Sequence, residues 1–111
     1  MKVSCTNNII SKNDEKIVLI VLIGILETLK RNTLSIDEAE KFLFSPRTVA
    51  RLKKIKCDEK IIDILERGCE LEDIESLIPD ELLENISILE TEVLELLNNY
   101  SDYNGENWLE W

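Results

Sequence analysis

Carboxylates are the commonest reactive groups in this chain: 23 Asp and Glu against 13 Lys and Arg, with three cysteines and no histidine. Two Asp or Glu residues can run acid–base hydrolysis, and the densest group is Glu70, Glu72, Asp73 and Glu75. At helical spacing Glu72 could share a cation with Asp73 or with Glu75. No glycine stands where a calcium loop needs one, and no imidazole is present to ligate zinc. The same four residues suit the first turn of a helix, where negative side chains meet the positive end of the helix dipole. Cys5, Cys57 and Cys69 form no CxxC pair, and without histidine none has the usual base that activates a nucleophile. No glycine-rich phosphate loop occurs. This inventory points away from an enzyme, a metal centre or a bound cofactor, and towards a protein that works by binding.

The charges are unevenly distributed. Residues 1–65 carry 12 Lys/Arg and 9 Asp/Glu, a net of +3, whereas residues 66–111 carry Arg67 alone against 14 Asp/Glu, a net of −13. So polarised a chain presents its C-terminal half to something basic. Between Pro79 and Asn99 a helical stripe of Leu82, Ile86, Leu89, Val93 and Leu97 faces the core. A second stripe holds Glu81, Glu84, Glu92 and Glu95, with Ile88 at its centre, the pattern of an acidic contact surface with an apolar anchor. Four of the six aromatic residues (Tyr100, Tyr103, Trp108 and Trp111) fall in the last twelve positions. Tyr and Trp combine large apolar area with a polar handle and are enriched at interfaces. The plainer readings are a solvated helix face and a tail that folds back, with Trp108 and Leu109 closing the core.

These residues must be held by a single domain, since 111 residues is one domain's length and 44% apolar with 32% charged residues is a globular balance. The longest apolar run, Ile17 to Leu26, is half of what a membrane span needs. The polar residues that separate Lys2 from it do not resemble a secretion signal. An odd number of cysteines suits a reducing compartment, so the expected location is the cytoplasm.

The elements read as helices, because glycine and proline are scarce and apolar spacing is helical. The first, about Asp14 to Arg31 and capped at Ser11 or Asn13, is apolar all round at its centre and belongs in the middle of the fold, with Gly24 allowing a close helix crossing. Ser35-Ile36-Asp37-Glu38 is a capping box opening a second helix with Ala39, Phe42 and Leu43 inward. Ser45-Pro46 opens a third, to about Lys56. Asp58 caps a fourth, ended by Gly68. A fifth covers Leu71 to Leu77, and Pro79 starts the sixth. The expectation is an all-α bundle of five to six helices over residues 1–99, a central apolar N-terminal helix, and an acidic, aromatic tail over 100–111.

Two resemblances bear on function. Ser35 to Lys54 resembles the helix-turn-helix of bacterial transcription regulators: Ser35-Ile36-Asp37-Glu38-Ala39 is similar to its first helix, and Ser45-Pro46-Arg47-Thr48-Val49-Ala50-Arg51-Leu52 to the start of its recognition helix. The likeness implies DNA contacts from Arg47, Arg51 and Lys54. Leu43 stands where that family has glycine, and the acidity of the chain opposes binding to a polyanion. Gly68 to Pro79, with Glu38 to Arg47, looks like a family of short bacterial proteins of unknown function. Proteins of this size, acidity and helical build are often immunity proteins, which sequester a toxin.

The leading expectation is therefore an immunity-type inhibitor that occludes a basic protein. Glu81, Glu84, Ile88, Glu92, Glu95, Trp108 and Trp111 would be its contact residues, without membrane or nucleic acid. A DNA-binding regulator through Arg47, Arg51 and Lys54 is the alternative, and a self-assembling helical module or homodimer a third.

Overall fold

The computed structural model describes residues 5–6 and 8–105 of the chain. Two short strands, β1 (Cys5–Thr6) and β2 (Ile9–Ile10), pair antiparallel. Asn8, in the left-handed region at φ 62°, lies in the turn between them, a conformation that asparagine tolerates better than most residues. Ile10 is buried, and its N–H donates to the Ile55 carbonyl at 2.8 Å. The ladder is too short to form a layer, and the molecule is built of helices.

Helix α1 (Lys12–Lys30) is capped by Ser11, whose hydroxyl accepts from the Asp14 N–H. α2 (Ile36–Phe42) has both hydrogen bonds of the capping box, Ser35 to the Glu38 N–H and Glu38 back to the Ser35 N–H. α3 (Pro46–Lys54) starts at Ser45-Pro46, and α4 (Glu59–Cys69) at Asp58, whose carboxylate accepts from the Lys60 N–H. α5 (Leu71–Leu77) is followed by a single 3₁₀ turn, Pro79–Glu81, and then α6 (Leu82–Leu97). Among the described residues the frame is four helices of nine residues or more, with α2 and α5 as seven-residue connectors, not five or six comparable helices. Pro79 opens the 3₁₀ turn and not α6 itself: Ile78 leaves the helical region before it, as residues preceding proline do.

α6 lies antiparallel along α1, with Lys30 beside Glu90 at one end and Lys16 beside Ser101 at the other. α3 and α4 pack as a hairpin, α4 rests on α6, and α5 bridges α2, α4 and α6. The core is drawn from every helix: Leu19, Leu22 and Leu26 of α1, Ile61, Ile64 and Leu65 of α4, Ile86, Leu89 and Val93 of α6, with Ala39, Phe44, Val49, Leu52 and Leu71. Removing such aliphatic side chains from water contributes about 1.5–3 kcal/mol each.

Four local expectations are corrected. α1 is not buried all round, because Ile20 and Gly24 face solvent. Gly24 has nothing within 4 Å of where a Cβ would be, so it serves no helix crossing. Gly68 lies inside α4 and does not end it; a Cβ there would come 2.5 Å from the Phe44 ring. Phe42 faces solvent while Phe44, two residues on, fills the core, because α2 stops at Phe42 and the chain turns before Ser45.

Candidate functional site

The stretch from Glu70 to Glu84 builds the most distinctive surface of the described molecule. It contains seven carboxylates and no Lys or Arg. All seven are exposed, and among the described residues none forms an ion pair. α5 turns two of its three apolar residues inward: Leu71 is buried and Ile74 packs against the core. Its last leucine, Leu77, is left 78% exposed, and Ile78 beyond it is also exposed. Leu83 is a third exposed aliphatic, since the inward stripe of α6 begins one residue earlier, at Leu82. The result is a stretch, here called the knuckle, that exposes three aliphatic side chains, Leu77, Ile78 and Leu83, among seven carboxylates of the sequence.

The acidic stripe expected along α6 divides in two. Glu81, Glu84 and Glu95 are exposed, and Ile88 is 48% exposed between them. Glu92, its side chain 39% exposed, is instead tied to α4. Arg67 of α4 donates to both its oxygens at 2.6 Å, Nη1 to Oε2 and Nη2 to Oε1, and also pairs with Asp63. The guanidinium holds the Glu92 carboxyl below its usual range, and such two-pronged pairs are the strongest of their kind. Glu90 is likewise taken by Lys30 at 2.8 Å. These pairs bind α6 to α4 and α1. They also use Arg67, the one cation of the C-terminal half, so the unpaired negative charge concentrates towards the α5 end. Trp108 and Trp111 lie outside the described residues.

A second cluster, which sequence reasoning missed, surrounds Glu15. This carboxylate is buried in the first turn of α1. Oε2 accepts from the Asp58 N–H at 2.6 Å, Oε1 from the Tyr100 hydroxyl at 3.1 Å, and Lys12 Nζ stands 3.0 Å away. Burial, and then the Glu15 charge, push the Cys57 thiol up to about 12 and raise the Tyr100 phenol as well. A thiol so shifted is a poor nucleophile at neutral pH. With its acceptors filled, Glu15 joins the start of α1, the start of α4 and the C-terminal segment. That segment continues the attachment: Lys16 donates to the Ser101 carbonyl at 2.8 Å, and Asn13 to Asn104 Oδ1 at 2.8 Å. The only sequence signal was a carboxylate at the head of the most apolar helix, which the helix dipole already explained.

A third surface is basic. Arg47, Arg51 and Lys54 of α3 are exposed and form no ion pair among the described residues. α3 packs chiefly on α4, whereas the recognition helix of a helix-turn-helix is braced by the helix before it. No group of three or more potential ligands is placed to hold a metal ion among the described residues, and none of their helices is long and apolar enough to cross a membrane.

A family model, described as "Protein of unknown function (DUF3969)", matches residues 10–110, and the chain belongs to that family. No curated protein and no solved structure matches it.

Proposed function

We propose that this member of a family of unknown function is a protein-binding inhibitor of the immunity type, which covers a basic partner with its acidic C-terminal half and performs no catalysis itself. One observation carries the reading: the exposed aliphatic group Leu77, Ile78 and Leu83, set in a stretch with seven carboxylates and no cation. Solvated acidic faces are common, but unpaired aliphatic side chains at the centre of one have a cost in water and gain about 1.5–3 kcal/mol each when a partner buries them fully. The charges steer encounter and reject acidic surfaces, and the aliphatic anchors slow dissociation. Glu81, Glu84, Ile88 and Glu95 extend the contact along α6. Glu92 contributes only through its bond to Arg67.

The test is affinity capture from a lysate of the source cells, with a nuclease-treated control and a parallel Leu77→Ser/Leu83→Ser bait checked for native circular dichroism. A basic protein retained through nuclease treatment, and lost with the double variant, supports the proposal. Binding of the recovered partner should then slow when Glu81 and Glu84 are made glutamine, with an effect that shrinks at high salt. Equal capture by both baits, or recovery of nucleic acid alone, overturns it.

A further inference from the structure

The first helix carries a residue that the described fold does not use. Gly24 stands in the middle of α1, exposed, without a positive φ and with nothing within 4 Å of where a Cβ would be. After proline, glycine is the least favoured residue inside a helix, and neither packing nor backbone geometry within the chain requires it here. What it does allow is the close approach of another backbone.

Its surroundings are apolar. Lys30 of α1 lies 3.6 Å from Glu27 and 2.8 Å from Glu90 of α6, and Lys16 reaches the Ser101 carbonyl at 2.8 Å. These contacts fix the register of the two antiparallel helices. At helical spacing, the α1 stripe Lys16, Ile20, Ile23 and Glu27 and the α6 stripe Glu90, Leu94 and Leu97 therefore border one seam. Ile23 and Leu97 pack against the core beneath it, while Ile20 is 52% and Leu94 46% exposed on its two sides. Gly24 is one turn from Ile20 on the exposed side of α1. Leu83, 56% exposed, continues the α6 stripe about 16 Å from Leu94 and belongs to the knuckle. At that end Lys30 and Arg31 are both ion-paired. Glu75 borders a hollow there with Leu29 and Asn32 at the end of α1 and Leu82 and Ile86 of α6.

Resting on the reading that the acidic half docks a basic protein, we infer that the docked element is an amphipathic helix of that partner, laid along the α1/α6 seam with its backbone close over Gly24. Its aliphatic residues cover Ile20, Leu94 and Leu83 at i, i+3, i+4 and i+7 spacing. Its cations lie at the end that meets Glu75, the carboxylates of the knuckle and the negative end of the α1 dipole. Charge selects this occupant: a second copy, at net −10, and a nucleic acid both add negative charge to an acidic molecule.

The probe is a synthetic peptide of leucine and lysine with that helical pattern and its lysines towards one end, set beside a scrambled peptide of the same composition. Fluorescence anisotropy should show the full chain binding the patterned peptide about tenfold or more tightly than the scrambled one. Gly24→Leu and Ile20→Ser should each weaken that binding about tenfold or more. Gly24→Ala should raise Tm by about 2–6 °C, and Gly24→Leu should not lower it, because the position is open. Lost binding with an intact or raised Tm is a result that a merely structural glycine does not give. Equal binding of the two peptides, or unchanged affinity in either variant, overturns the inference. So does a concentration-dependent dimer abolished by Gly24→Leu, which assigns the seam to a second copy. A shift of tryptophan emission in free Ile20→Ser also overturns it, since Trp108 and Trp111 are the only tryptophans and the occupant is then the chain's own tail. The inhibitor reading fails separately: a basic protein captured from lysate, lost with Leu77→Ser/Leu83→Ser but kept by Gly24→Leu, leaves that reading standing and removes the seam from it.

Discussion

Glu40 on α2 has one carboxylate oxygen, Oε1, that is buried without a hydrogen-bond partner among the described residues. The Glu72 carboxylate is its neighbour across α2 and α5, and Glu72 first, then burial, then Asp37, raises its pKa. An acid whose pKa rises on folding binds its proton more tightly in the native state. Its contribution is fully present below the unfolded pKa and is lost as pH rises through the folded value. At neutral pH the ionised pair therefore opposes folding. Glu40→Gln should raise Tm at pH 7, and the gain should shrink towards zero near pH 4; thermal melts across that range measure it, and an unchanged Tm at pH 7 counts against the repulsion. The Glu40–Glu72 pairing was not legible in the chain, because 32 positions separate the two residues and only the docking of α5 on α2 brings them together. The cluster expected among Glu70, Glu72, Asp73 and Glu75 was local in sequence, yet the interaction that shifts a pKa is tertiary.

At the scale of elements, the helix starts were the most legible features. Ser11, Ser35, Ser45 and Asp58 each cap where their side chains can reach an N–H two or three residues on, a geometry that depends on local spacing alone. Glycine was the weakest signal. The same residue marks a helix end, a crossing or a close contact, and nothing in the neighbouring sequence separates these uses. Gly68 proved to be the contact glycine: Phe44 occupies the space its side chain would take. Gly68→Ala should destabilise the protein by about 1–3 kcal/mol, read by urea unfolding, although alanine is the better helix former. A Phe44→Leu background should recover part of the loss, which a purely local backbone effect would not allow.

For the whole molecule, the dominant fact is a net charge of −10 with its unpaired negative part crowded into Glu70 to Glu84. The partly buried pairs Lys30–Glu90 and Arg67–Glu92 are screened weakly, while repulsion between exposed carboxylates is screened strongly. Moving from about 10 mM to about 0.3 M sodium chloride should therefore raise Tm by about 2–5 °C at pH 7. A fall in Tm would mean that the ion pairs outweigh the repulsion.

Composition and period by themselves determined the helical class, the caps, the core stripe of α6 and the charge asymmetry, because each depends on residues within a few positions of one another. The tertiary structure alone decided which carboxylates remain unpaired. Glu84 and Glu92 belong to the same acidic stripe of the sequence, yet α4 places Arg67 against Glu92, while Glu84 forms no ion pair among the described residues. It also decided that Leu77, Ile78 and Leu83 stand outside the core. Periodicity names the face of a helix, and only packing says what meets it.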